Sequence, residues 1–534
     1  MSRADFRRRQ SRRRRQKLAR MSRHLPTFIL LLAITVLAGG GIFALYRFVL
    51  AKQPDGTVQV IASSGQNGSP NPNGNSPSAG GASPGGDSAG GASGGNFGGS
   101  SGNSSSGASG DSSSGPTSGG DSSNQPFAEV PQDDISRLIA QADRIAMGYD
   151  YDKAAELINS SGLDLEDSRM KEALARYESQ KAALVPADMN AVTHIFFHSL
   201  IMDTSKAFDG DSDSANYNSV MTTKDEFLKI LEDMYQKGYV LVRIHDVAYE
   251  APDENGNVRF VKGSVMLPEG KKPFVMSQDD VCYYPYMDGD GFAKRVVIGE
   301  DGKPTCEMVM DDGTTSTGSY DLIPLLEDFI QEHPDFSYKG ARAIIAFTGY
   351  EGILGYRTAS SYQNSPTYEA DREQAARVAQ CLKDNGWELA SHSWGHLHLG
   401  VADGPQAGFA IDEERFRTDT DKWEAEVESL IGPTDIILYP YGNDIADWRP
   451  YHQDNPRFAY LESKGFRYFC NVDASKPYWT QMGTNYFRMA RRNLDGYRLY
   501  QDTIQEDPAK KRLSDLFDAR DIFDSARPTP VTWY

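Results

Sequence analysis

"DREQAARVAQCLKDNGWELASHSWGH", residues 371–396, passes from a helix to a strand to a polar turn within one line. The helical part stops at Gly386, a residue type that accepts the left-handed conformation with which helices end. "WELA" then reads as a strand, and it runs into two histidines four residues apart, His392 and His396. The same order recurs. "TTKDEFLKILEDMYQKGYVLVRI", residues 222–244, opens with Thr223 and Glu226 at capping-box spacing, repeats apolar residues at Phe227, Leu228, Leu231 and Tyr235, stops at Gly238 and turns apolar. "FAYLESKGFRYF", residues 458–469, does so around Gly465. "HIFFHSLI" (194–201), "KPFVMS" (272–277), "AIIAF" (343–347) and "DIILYP" (435–440) read as further strands. Strands alternating with helices predict an α/β fold with a parallel sheet, open or closed. Chemistry in such folds gathers at the carboxyl ends of the strands.

Polar clusters sit at those ends. "KKPFVM" leads towards Asp279 and Asp280, "WELA" into His392 and His396, and "IILY" into Pro440, Tyr441 and Gly442. Two imidazoles at a spacing of four lie near enough to share one ion. A solvated loop is the bland alternative for the pair taken alone. An Asp pair, a His pair and a Pro-Tyr-Gly turn arriving at one rim favour the metal.

In these residues the chain resembles the polysaccharide deacetylases of the NodB-homology type, carbohydrate esterase family 4, over roughly residues 190–500. "SHSWGH" matches that family's H-[ST]-x-x-H motif in full. "SQDD" matches its T-F-D-D motif through the two aspartates, with Gln278 in place of Phe and Val281 in place of the following Gly. "LYPYG" matches R-x-P-[YF]-G except that Leu438 stands where Arg is common, and the strand bearing His198 is similar to a Tyr-His strand of such relatives. The resemblance implies a distorted (β/α) barrel in which Asp280, His392 and His396 hold a divalent metal, expected to be zinc. It implies Asp279 as catalytic base and the Tyr441 backbone N–H as oxyanion donor.

The family's terminal Leu-x-His motif, which supplies the general acid, is missing: "YFRMARRNLDGYRL", residues 486–499, contains no histidine. His452 is the expected substitute and His398 the next candidate. The aspartate pair also has a rival, Asp311–Asp312 in "VMDDGTTSTGSYDLIPLL" (309–326). The apolar lead-in favours 279–280, whereas "KRVVIGEDGKPTCEMVM" before the rival reads as a hairpin.

Outward from this domain the composition changes. Residues 1–26 carry a net charge of +10, which leaves −29 on residues 27–534 of a chain whose total is −19. "TFILLLAITVLAGGGIFALY" (27–46) holds no charge, and a run of about 20 apolar residues suffices to cross a bilayer. The expected organisation is a basic cytoplasmic tail (1–26), a transmembrane anchor (27–49) and a Gly/Ser-rich disordered linker (50–128). A helical stalk (129–186), the deacetylase-like domain (187–505) and a C-terminal tail (506–534) follow. Cys282, Cys306, Cys381 and Cys470 either pair outside the cell or stay as buried thiols. The acidic balance argues against nucleic acid as partner.

A divalent ion lowers the pKa of bound water from 15.7 towards ~7 and polarises an acyl carbonyl; a neighbouring carboxylate that is not a ligand takes a proton. Tyr283, Tyr284, Tyr286, Trp394, Tyr441 and Trp448 flank the motifs as candidate faces for sugar rings. The function expected is a membrane-anchored, extracellular, metal-dependent enzyme that removes N-acetyl groups from N-acetylglucosamine in a cell-wall or exopolysaccharide polymer. Two other readings stay open: an impaired module that only binds glycan, and a metal hydrolase of other amides or esters.

Overall fold

A computed structural model of the chain describes residues 133–400 and 410–533. Seven strands organise it: β1 Thr193–Phe197, β2 Lys272–Gln278, β3 Ile344–Phe347, β4 Glu388–Ser391, β5 Ile436–Leu438, β6 Tyr468–Val472 and β7 Phe487–Asn493. Each pairs in parallel with the next in sequence, and β7 returns to β1, so the sheet closes into a barrel. The distortion is local. β2 shares its second edge, its first half pairing with the short strand Tyr239–Leu241 and its last residues with β3 through Ser277 and Gln278. β4 and β5 meet in a single pair, Ser391 with Ile437.

Alternation explains the apolar strand sequences. Val275, Ala346, Ala390, Leu438, Cys470 and Met489 share one core inside the barrel. Met276, Ile345, Leu389, Ile437 and Phe469 face outward into the core under the helices. A strand buried on both faces reads as a continuous apolar run. The helices Lys224–Gln236, Tyr368–Asp384 and Pro456–Ser463 are those expected from the sequence. At Gly386 (φ +90°) a Cβ would lie 2.4 Å from the Gly340 carbonyl oxygen, so the helix-to-strand turn needs glycine there.

Three helices, Asp134–Met147, Tyr151–Asn159 and Ser168–Ala182, pack around their own small core. They dock on the barrel domain through Arg144 to the Gln331 carbonyl (2.9 Å) and Tyr149 Oη to that of Asp335 (2.9 Å). The end of the chain belongs to the main core: Leu513, Leu516, Phe517 and Ile522 are buried in it. Arg527 and Glu226 form an ion pair at 2.6 Å with neither side chain exposed.

All four cysteines are free and buried, the second of the two alternatives left open by the sequence. The membrane reading is corrected. Among the described residues no helix is long and apolar enough to cross a membrane. The longest uninterrupted α-helix among the described residues, Tyr368–Asp384, has 17 residues and carries Glu369, Asp371, Arg372, Glu373, Arg377 and Lys383. The expected anchor at 27–49, like the tail and linker around it, lies outside the described residues. With no spanning helix among the described residues, the membrane partner, the cytoplasmic N-terminus and the extracellular placement are not supported.

Candidate metal centre

Strand parity delivers the side chains. Asp279 continues the inward-facing series Val275, Ser277, and His392 continues that of Ala390. Asp280, on an unbroken strand, would point away from its neighbour. Its φ of +58° turns it back over the barrel mouth. Asp280, His392 and His396 each offer a ligand atom, all within 4.8 Å of one another. These residues form a cluster able to hold a divalent metal ion.

The hydrogen bonds fit that use. His392 Nδ1 lies 2.7 Å from the Leu438 carbonyl, which only accepts; Nδ1 therefore carries the proton and Nε2 keeps its lone pair. Burial lowers the His392 pKa to about 4 against the pull of Asp279 and Asp280, so the ring is neutral at pH 7. Asp280 Oδ1 accepts from Tyr284 Oη (2.8 Å), which also meets Thr348 Oγ1 (2.8 Å). Asp280 Oδ2 faces His396 Nε2 at 3.6 Å.

Asp279 is held differently. Both its oxygens accept from Arg491 Nη1, at 2.6 and 2.8 Å, and His392 Nε2 lies 3.7 Å away. Burial raises the Asp279 pKa, but the Arg491 guanidinium beside it outweighs this and holds it down to about 2. Arg491 lies on β7 and is fully buried beside Asp279. The sequence reading passed over it because 212 residues separate the pair. Gln278, the departure from the Phe of the motif, donates to Asp321 (2.9 Å), which also accepts from Tyr283 (2.6 Å).

The rival doublet lies elsewhere. Asp311 and Asp312 occupy the turn between the antiparallel strands Pro304–Val309 and Thr315–Gly318, where Asp312 accepts from the Thr314 amide (2.9 Å) and Asp311 meets Lys206 (2.8 Å). His452 is exposed, with its carbonyl accepting from the Asn455 amide at 3.0 Å. His398 stacks on Tyr441 with ring centroids 3.9 Å apart, and Tyr441 lies 4.4 Å from His396. His198 is part-buried at the end of β1. Its Nδ1 meets the Val220 carbonyl at 3.1 Å. Of the flanking aromatics, Tyr283 and Tyr284 are buried, whereas Tyr286 (48%), Tyr441 (55%) and Trp448 (74%) are exposed.

No protein family matches the chain, and no curated protein does. Solved structures that align with it include a de-N-acetylase from Aggregatibacter actinomycetemcomitans, at 14% identity and a TM-score of 0.31, over 57% of this chain and 95% of that one. They also include the Streptococcus pyogenes deacetylase PplD in complex with acetate, at 12% identity and a TM-score of 0.27, over 58% of this chain and 92% of that one.

The arrangement is of the hydrolase type: two imidazoles and a carboxylate converge, and a second carboxylate beside them has its charge held by an arginine.

Proposed function

We propose that the protein is a metal-dependent deacetylase that removes acetyl groups from N-acetylated sugars in a glycan polymer, with zinc as the ion. The observation that carries this reading is the different company of the two aspartates: Asp280 sits with the histidines, and Asp279 is tied to Arg491. Asp280, His392 and His396 are the proposed ligands. The ion, when bound, makes water acidic and polarises the acyl carbonyl. Every other step falls to the chain. Arg491 keeps Asp279 ionised and aimed, and Asp279 accepts the proton of the attacking water. The Tyr441 backbone N–H donates to the oxyanion. The exposed rings of Tyr286, Tyr441 and Trp448 stack on sugar faces.

The leaving amine needs a proton. His198 suits this role better than the expected His452: it is part-buried at the end of β1 whereas His452 is exposed, and its Nδ1 is engaged by Val220, which leaves Nε2 for the amine. His398, beside Tyr441, is the next candidate.

The test is zinc stoichiometry beside acetate release from chitohexaose, for the full chain with and without chelator. Zinc bound at one equivalent and chelator-sensitive release are expected. Zinc binding without release would leave a glycan-binding module, and release only from other acetylated amides or esters would move the substrate class. Failure to bind zinc would remove the reading altogether.

A further inference from the structure

Between the two histidines the chain makes a tight turn, Ser393-Trp394-Gly395, bounded by left-handed residues: Ser393 has φ +62° and His396 φ +50°. Side-chain-bearing residues seldom adopt that conformation unless their surroundings impose it. Here the surroundings are the helix Glu413–Trp423 and the π-turn Glu424–Glu428 that continues it. Asp419, buried on that helix, accepts the Trp394 amide at 2.9 Å on one oxygen and the Gly395 amide at 2.7 Å on the other. The Ser393 hydroxyl also bonds Asp419, and it accepts from the Leu397 amide at 3.1 Å.

The same helix face continues the grip. Glu426 accepts the Trp394 indole N–H at 3.1 Å, and Lys422 Nζ lies 3.4 Å from the centroid of the Trp394 ring. From the opposite side the Trp394 carbonyl accepts the amides of Gly349 (2.9 Å) and Tyr350 (3.0 Å). A Cβ at Gly349 would lie 2.3 Å from the indole. Trp394 is thus an anchor for the turn rather than a free sugar platform.

None of these groups is a proposed ligand, yet together they fix the backbone from which both imidazoles project. We propose that Asp419 is a positioning residue for the metal: it holds the turn so that His392 and His396 are already arranged when the ion arrives. The proposal rests on the metal reading of Asp280, His392 and His396. Ligands arranged in advance lose little freedom on binding, whereas a loose turn must be ordered by the ion itself. In Asp419→Asn one acceptor becomes an N–H donor facing a backbone N–H, so the turn is released on one side.

The experiment measures the zinc Kd of the full chain by competition with a chromophoric chelator, alongside far-UV circular dichroism and the Tm of the metal-free protein. Asp419→Asn is expected to bind zinc about 10–100-fold more weakly with an unchanged metal-free fold, in line with losses seen for outer-sphere partners. Ser393→Ala, which removes one hydroxyl from the clamp, is expected to lose less and gives the answer should Asp419→Asn not fold. A wild-type Kd in the variants overturns the proposal. So does a lowered metal-free Tm with an unchanged Kd, which makes Asp419 a fold residue only. Wild type that binds no zinc overturns the metal reading itself, and the assignment of Asp419 falls with it.

Discussion

Asp279 and Asp280 are neighbours in the chain, and one peptide unit separates a carboxylate facing an arginine from a carboxylate facing two imidazoles. Substitution by the near-isosteric amide tells their duties apart. Asp280→Asn is expected to lose zinc and activity together, because an amide oxygen is a poor substitute for a charged ligand. Asp279→Asn is expected to keep zinc and lose about 10²–10⁴-fold in kcat, because an amide accepts no proton from water. Equal zinc loss in both would make Asp279 a ligand. The proton donor is tested in the same assay. His198→Ala is expected to lower kcat with zinc retained, while His452→Ala changes neither. The reverse result would restore the histidine expected from the sequence.

At the scale of elements, a turn is judged by what precedes it. Asp279 and Asp280 follow an inward-facing strand that ends at the barrel mouth, and Asp311 and Asp312 close a hairpin. Replacing both hairpin aspartates by asparagine is therefore expected to leave zinc content and acetate release at wild-type levels; loss of either would move the first motif to the hairpin. Strand ends were legible in the sequence because β2, β4 and β5 are buried on both faces and flanked by turns, so period and punctuation agree. The cluster was legible because its ligands lie on short motifs. What stayed hidden were partners that act across the fold. Arg491 pairs with Asp279 only once β7 closes on β1, and Asp419 reaches the histidine turn from the next helix. No local pattern marks either residue, since their role is set by tertiary distance alone. Tyr283, Tyr284 and Trp394 are only candidate sugar faces in the sequence for the same reason: an aromatic beside a motif does not announce whether it is core, as Tyr283 and Tyr284 are.

For the molecule as a whole, closure is thinnest between β4 and β5, which share one backbone pair. Side chains stitch this seam at both ends. At the mouth His392 donates to the Leu438 carbonyl (2.7 Å), so the seam and the proposed ligand share a bond. At the opposite end Glu388 opens β4 and Asp435 precedes β5, and His245 stands between them, bonding Glu388 through Nδ1 and both Asp435 oxygens through Nε2 (3.1 Å each). Both partners only accept, so the bridge requires the doubly protonated imidazolium. Burial lowers the His245 pKa, but the bonds to Asp435 and Glu388 prevail and lift it from 6.5 to about 10. A folded-state pKa above the unfolded one contributes stability that is complete below pH 6.5 and is lost as the pH rises through about 10. Other groups titrate in that range, so the informative quantity is the Tm difference between wild type and His245→Gln. That difference is expected to be largest at about pH 6 and to shrink towards zero by about pH 11. A difference independent of pH would mean that the ring packs against Tyr468 (centroids 4.4 Å apart) without bridging the strands as a cation.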